Sequence, residues 1–238
     1  HFFWAKRSLI YKYNTIVDKP ITSNRQQLKE SIDISEKNKK LLVESIFFNY
    51  HLQMKRIIKI HKYDKFKKIY SHFIIPKPHK KSLLMSKKFD GGVLMDMGPY
   101  ISSIPRLFNL TTILNKKIKI KKNKERLIIS LRFLINFKEG KYNGVFEFGG
   151  KYKNQIKISS KNKTSVINRV FSPPDNESLN LKLISKKNKK IIKLKADNCF
   201  RNFFTEILKI LREKKYYFYY KRMSDDAIFR SNLIKKII

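Results

Sequence analysis

Gly91-Gly92-Val93-Leu94-Met95-Asp96-Met97-Gly98-Pro99-Tyr100 is the most informative stretch of this chain. Glycines open it, and glycine permits close backbone approach and φ values barred to other residues. The apolar Val93-Leu94-Met95 follows, then a carboxylate, another glycine, a proline and a tyrosine. The local reading is a turn leading into a helix over 91–108. On that helix Asp96 and Tyr100 are four residues apart and share a face. Pro99 falls near the start, and Pro105 is placed to kink it.

A Gly-rich turn before a helix is common by itself, so other segments must add to it. Val17-Asp18-Lys19-Pro20 closes a β-prone run, Asn14-Thr15-Ile16-Val17, and precedes a helix over 23–38. Ser23 with Gln26 reads as its capping box, and Leu28 and Ile32 continue the buried face. A lone Lys-Pro in so basic a chain is ordinarily a solvated turn. Both motifs in this order, about 80 residues apart, are more specific than either one. The chain opens with His1-Phe2-Phe3-Trp4-Ala5-Lys6-Arg7, an amphipathic helix.

Taken together, these segments resemble the Gfo/Idh/MocA family, the relatives of glucose–fructose oxidoreductase and inositol dehydrogenase. The 91–100 stretch is similar to the family's G-G-x-x-x-D-x-G-x-Y/H signature, a helix start facing the nicotinamide. Asp18-Lys19-Pro20 is similar to its E-K-P strand end, with Asp in place of Glu. The opening residues are similar to its H-x-x-W-A helix. The resemblance implies that Lys19 and Tyr100 are catalytic and that His1, Lys19 and Pro20 touch the cofactor, NADP(H) or NAD(H). It places Asp96, His51 and Gln53 at the substrate, although Leu52 departs from the family's H-P-Q segment. It implies no metal. Segments 71–78, 168–174 and 196–200 resemble one branch, the nucleotide-sugar C-3 ketoreductases. None of the 7 glycines forms the G-x-G-x-x-G unit of complete members, so the expectation is a fragment holding the second part of a dinucleotide-binding domain.

The implied fold class is α/β plus α+β. Residues 1–63 are expected to be the C-terminal part of a Rossmann-like nucleotide-binding layer, with parallel strands near 14–18 and 41–46. Residues 64–238 are expected to be an open, mostly antiparallel sheet domain with covering helices, the last helix packing back on the first domain. Leu127, Ile129, Leu131, Phe133, Ile135 and Phe137 alternate with Ser130, Arg132 and Asn136, the period of a half-buried strand. Further strands are expected at 145–148, 155–159, 165–170, 179–184 and 190–195. Residues 121–124 and 186–190 read as solvated hairpin tips. Residues 49–61 read as one helix. Phe200, Phe203, Phe204, Ile207, Leu208 and Leu211 read as one apolar helix face. Residues 216–220 read as a loop before a final helix over 223–238.

Composition narrows the alternatives. Hydrophobic residues make up 42% and aromatics 13%, enough for a core. No apolar run reaches membrane-spanning length. One cysteine, Cys199, leaves no internal disulfide framework and suits a reducing cytoplasm. The histidines form no metal constellation. With 55 basic against 18 acidic residues the net charge is +37, which attracts polyanions without sequence preference. Because the lysines are spread through loops and polar faces, no specific nucleic-acid site is expected. The partners expected are a sugar or sugar-nucleotide substrate and a second copy through the open sheet. Two further readings stand beside the oxidoreductase: a non-enzymatic nucleic-acid-binding protein, and a non-catalytic remnant of the family.

Overall fold

The computed structural model describes residues 1–186 and 188–234. By contact the chain forms two compact units: His1–Ile46 with Gly98–Ser103 and Arg201–Ile238, and Phe47–Met97 with Ile104–Phe200.

The first unit is built on a β-α-β crossover. Helix α1 (Phe2–Ile10) leads to strand β1 (Thr15–Asp18), helix α2 (Arg25–Lys37) and strand β2 (Leu42–Ser45). The strands pair in parallel, Thr15 opposite Leu42 and Asp18 opposite Ser45. Every residue of β2 is buried, as expected of a parallel strand covered on both faces. Asn24 rather than Ser23 caps α2, accepting from Gln27 N, while Gln27 reaches back to Ser23 N at 3.2 Å. The capping box expected at Ser23 is therefore displaced by one residue, because Asn24 takes the extended backbone (φ −147°, ψ 168°) that a cap requires.

The last helix, α6, runs Tyr216–Ile234 and packs on α2 and β2. It absorbs the aromatic run 216–220, expected as a loop. Tyr219 and Tyr220 are buried, and the Tyr220 hydroxyl donates to Lys40 O at 2.7 Å. Burial therefore starts the helix before the apolar spacing of residue 223 onward does. Residues 235–238 of the expected final helix, and residue 187 of an expected hairpin tip, lie outside the described residues.

The second unit is an eight-stranded mixed sheet in the order β10-β9-β8-β7-β3-β6-β5-β4. The strands are β3 (Lys67–Ile75), β4 (Ile113–Lys122), β5 (Ile128–Phe137), β6 (Gly140–Phe148), β7 (Lys153–Ser159), β8 (Lys163–Asn168), β9 (Leu179–Ser185) and β10 (Lys189–Leu194). Among the described residues of this sheet, only β3 and β6 pair in parallel. One face is covered, with Ile69, Leu131, Ile135, Phe146, Ile156 and Ile158 all 0% exposed. Strand β4 is an addition to the sequence reading. Its Lys-Lys-Ile-Lys-Ile-Lys-Lys alternation is a lysine-protected edge strand, and only the turn after it matches the expected hairpin tip.

Gly144 lies opposite Phe133. A Cβ there would sit 2.1 Å from the Phe133 ring, so the missing side chain is what lets that ring lie across the strand.

The helix expected over 49–61 is two pieces. Phe47–Tyr50 is a 3₁₀ turn, and helix α3 runs Leu52–Ile60 with His51 as its N-cap. Helix α4 (Val93–Leu107) follows Gly92, whose φ is 101°. A Cβ on Gly92 would lie 2.9 Å from Ile128 O. Both the backbone angle and the close approach explain the glycine that opens this helix. Helix α5 runs Cys199–Glu213. It buries Phe203, Ile207 and Ile210, while Phe200, Phe204 and Leu208 are about half exposed. The apolar face is thus rotated from the one read in sequence, because apolar residues ring this helix and tertiary contact selects among them.

Among the described residues no helix is long and apolar enough to cross a membrane. No group of three or more His, Cys, Asp or Glu among them is placed to hold a metal ion.

Candidate active site

Lys19 follows the carboxyl end of β1, and three contacts fix its backbone. Its own N–H donates to Asp18 Oδ1 at 2.8 Å, and that oxygen also accepts from Ser45 Oγ at 3.2 Å. The Lys19–Pro20 peptide is cis. The Pro20 carbonyl meets His1 Nδ1 at 2.8 Å, and the Ile21 N–H donates to Glu44 Oε1 at 3.0 Å. A main chain held at three successive residues can aim a long side chain that would otherwise be free. The Lys19 ammonium lies over the Tyr100 ring, 5.2 Å from its centroid. The two residues read as catalytic are therefore together, within the first compact unit.

Glu44 is not among the site residues expected from sequence, where it sits inside the apolar run of β2. Its side chain is 2% exposed. A buried carboxylate needs partners, and here they come from distant segments. Ile21 N–H supplies one, and Arg230 Nη1 lies 3.7 Å from Oε2. Arg230 also donates to Ser102 Oγ at 3.3 Å, two residues beyond Tyr100 on α4. A polar path thus runs from the Lys19 loop through Glu44 and Arg230 to the Tyr100 segment. A carboxylate in the middle of an apolar strand was the signal available in sequence.

Asp96 occupies the first turn of α4, where the helix dipole favours a carboxylate. It stands four residues before Tyr100, as expected, and both are half-buried. His51 and Gln53 belong to the second unit and are 1% exposed. His51 Nδ1 accepts from Gln53 N at 3.2 Å, and Gln53 Nε2 donates to Arg169 O at 3.2 Å. His51 Nε2 is buried without a hydrogen-bond partner among the described residues. Burial lowers the pKa of His51 below the ordinary histidine value, and the charge of Asp197 only partly opposes it. Leu52 supplies an N–H that a proline could not, and Asp197 Oδ2 accepts it at 2.6 Å.

The donor set suits the ribose end of a nicotinamide cofactor. A cation and an imidazole stand where parallel strands β1 and β2 end, the side on which open α/β sheets bind ligands. The Gly-rich phosphate loop is not within these 238 residues.

No protein-family model matches the chain, and no curated protein matches it. Solved structures do. KijD10, a 3-ketoreductase from Actinomadura kijaniata in complex with NADP and TDP-benzene, superposes over 97% of this chain and 73% of its own, with TM-score 0.86 and 17% identity. An aldose–aldose oxidoreductase from Caulobacter crescentus, complexed with glycerol, covers 99% and 73%, with TM-score 0.85 and 12% identity. The UDP-N-acetylglucosamine 3-dehydrogenase GnnA from Acidithiobacillus ferrooxidans covers 98% and 73%, with TM-score 0.78 and 10% identity. At such identities the likeness speaks for the fold alone, and the fold of this chain is the one these three enzymes share.

Proposed function

We propose that the protein is an NAD(P)-dependent oxidoreductase that reduces a keto group of a nucleotide-linked sugar. The observation that carries this reading is the Lys19 ammonium 5.2 Å over the Tyr100 ring. Residues 1–63 are read as the second part of the nucleotide-binding domain and residues 64–238 as the sheet domain. The cofactor supplies hydride when bound, and His1, Lys19 and Pro20 would hold its ribose edge. A ketone that accepts hydride at carbon gains negative charge on oxygen and needs a proton there. The Tyr100 hydroxyl donates that proton. An ordinary phenol, with a pKa near 10, keeps its proton at neutral pH. Lys19 favours the phenolate left behind, because an adjacent cation stabilises it. Asp96, one turn earlier on α4, accepts from a sugar hydroxyl. His51 and Gln53 are assigned to the sugar on the resemblance of their segment.

The test is NADPH oxidation by the full-length protein with a nucleotide-linked 3-keto sugar. Tyr100→Phe keeps the ring and removes only the hydroxyl. Loss of general acid catalysis lowers the rate by roughly 10²- to 10⁴-fold, with cofactor affinity nearly unchanged. Lys19→Ala is expected to weaken cofactor binding as well. If Tyr100→Phe retains most of the activity, Tyr100 is a packing residue and the proton comes from elsewhere.

A further inference from the structure

Tyr100 stands between two gaps in the hydrogen-bond ladder of α4. Pro99 and Pro105 have no N–H, so the helix bonds that would close on Met95 O and Ile101 O cannot form. Helices bend where such bonds are lost, and a bend here would carry the Tyr100 hydroxyl with it. Lys19 follows a strand of only 4 residues. Neither element by itself fixes the 5.2 Å between the Lys19 ammonium and the Tyr100 ring. Support comes from other segments of the same unit. Ser102 Oγ is buried, donates to Pro99 O at 3.2 Å and accepts from Arg230 Nη1 at 3.3 Å. The first bond closes the turn that carries Tyr100, and the second ties that turn to α6. The same Nη1 lies 3.7 Å from Glu44 Oε2. Glu44 Oε1 accepts the Ile21 N–H at 3.0 Å, two residues beyond Lys19.

Burial makes this arrangement stiff. The side chains of Glu44 and Arg230 are 2% and 13% exposed, so neither charge can leave the other for water without cost. A guanidinium is planar and its donors keep a fixed geometry. Moving it off Glu44 therefore moves it off Ser102 as well. The chemistry proposed for Lys19 and Tyr100 depends on their separation, because attraction between a cation and a phenolate falls with distance. A displacement of about 1 Å can cost roughly a hundredfold in rate. We propose that Glu44 and Arg230 are positioning residues for the Lys19–Tyr100 pair, acting through Ile21 on one side and Ser102 on the other. The inference rests on the reading of Lys19 and Tyr100 as the proton-donating pair. Glu44 and Arg230 transfer no proton themselves.

The test begins with the full-length protein free of substrate. NMR follows the Tyr100 ring resonance, identified by its loss in Tyr100→Phe. Lys19→Met defines the shift produced when the cation leaves the ring. Arg230→Met and Glu44→Gln are expected to move the resonance in the same direction. Arg230→Lys, which keeps a charge and a donor, should move it less far. Gly144→Ala, a packing change in the second unit, controls for general loss of stability and should leave it in place. In NADPH oxidation with a nucleotide-linked 3-keto sugar, Arg230→Met is expected to lower kcat about tenfold or more. Both KM values should stay within about threefold. Glu44→Gln/Arg230→Met should fall no more than about twofold below the slower single variant, because the residues act as one device. An unmoved Tyr100 resonance in Arg230→Met would overturn the proposal whatever the substrate. So would a loss confined to KM, or an equal loss of kcat in Gly144→Ala. A moved resonance in a protein that reduces no keto sugar would uphold the positioning and refute the proposed reaction instead.

Discussion

Glu44→Ala removes a carboxylate that ties together three segments of the first unit. The Ile21 N–H loses its acceptor at 3.0 Å and Arg230 loses its counter-charge at 3.7 Å. Breaking a hydrogen bond to a charged acceptor costs roughly 1.5–3 kcal/mol. Breaking a fully buried ion pair costs roughly 3–5 kcal/mol. Arg230 is 13% exposed and keeps its bond to Ser102, so the pair contributes less than that range. The expected total is about 3–4 kcal/mol, or a fall of about 10 °C in Tm for a chain of this length. Glu44→Gln keeps an acceptor for Ile21 and should cost about half as much. Trp4, the only tryptophan, is 69% exposed, so the loss is read from circular dichroism in urea rather than from fluorescence. A double-mutant cycle with Arg230→Met is expected to return a coupling of at least about 1 kcal/mol. A loss below about 1 kcal/mol for Glu44→Ala, or a coupling near zero, would show that the path from β1 to α4 holds nothing in place.

Two further outcomes follow from packing and burial. Gly144→Ala drives a methyl into the Phe133 ring, itself held 4.9 Å from Tyr142 and 6.1 Å from Phe146; the expected cost is about 2 kcal/mol, read from the urea midpoint, and Phe133→Leu in the same chain should relieve it. His61 is fully buried, with Nδ1 2.6 Å from Asp64 and Nε2 2.9 Å from Ser165. Its burial outweighs the neighbouring carboxylate, and its pKa is lowered from 6.5. A lowered pKa favours the neutral ring in the fold, so its stabilisation is complete above 6.5 and is lost as pH falls from there through the lower folded value. His51 and His72 shift in the same direction, burial being the first cause in each. Thermal midpoints should therefore fall as the pH drops below 6.5, less steeply in His61→Gln, and a flat profile would contradict the shifts.

Patterns carried by near neighbours were legible without coordinates. The alternation of residues 127–137 marks β5 because side chains alternate in any strand. The 91–100 stretch marks α4 because its glycines answer a local backbone need, and Lys19 and Tyr100 could be named because each sits in a short motif. Selection among equivalent local options needed tertiary contact. Asn24 displaces Ser23 as the cap, the buried side of α5 turns away from Phe200 and Phe204, and Tyr219 and Tyr220 join α6 once they are covered. Contacts between distant segments left no local trace at all. Glu44, Arg230 and Ser102 lie far apart in the chain, and nothing within four residues of any of them specifies the others.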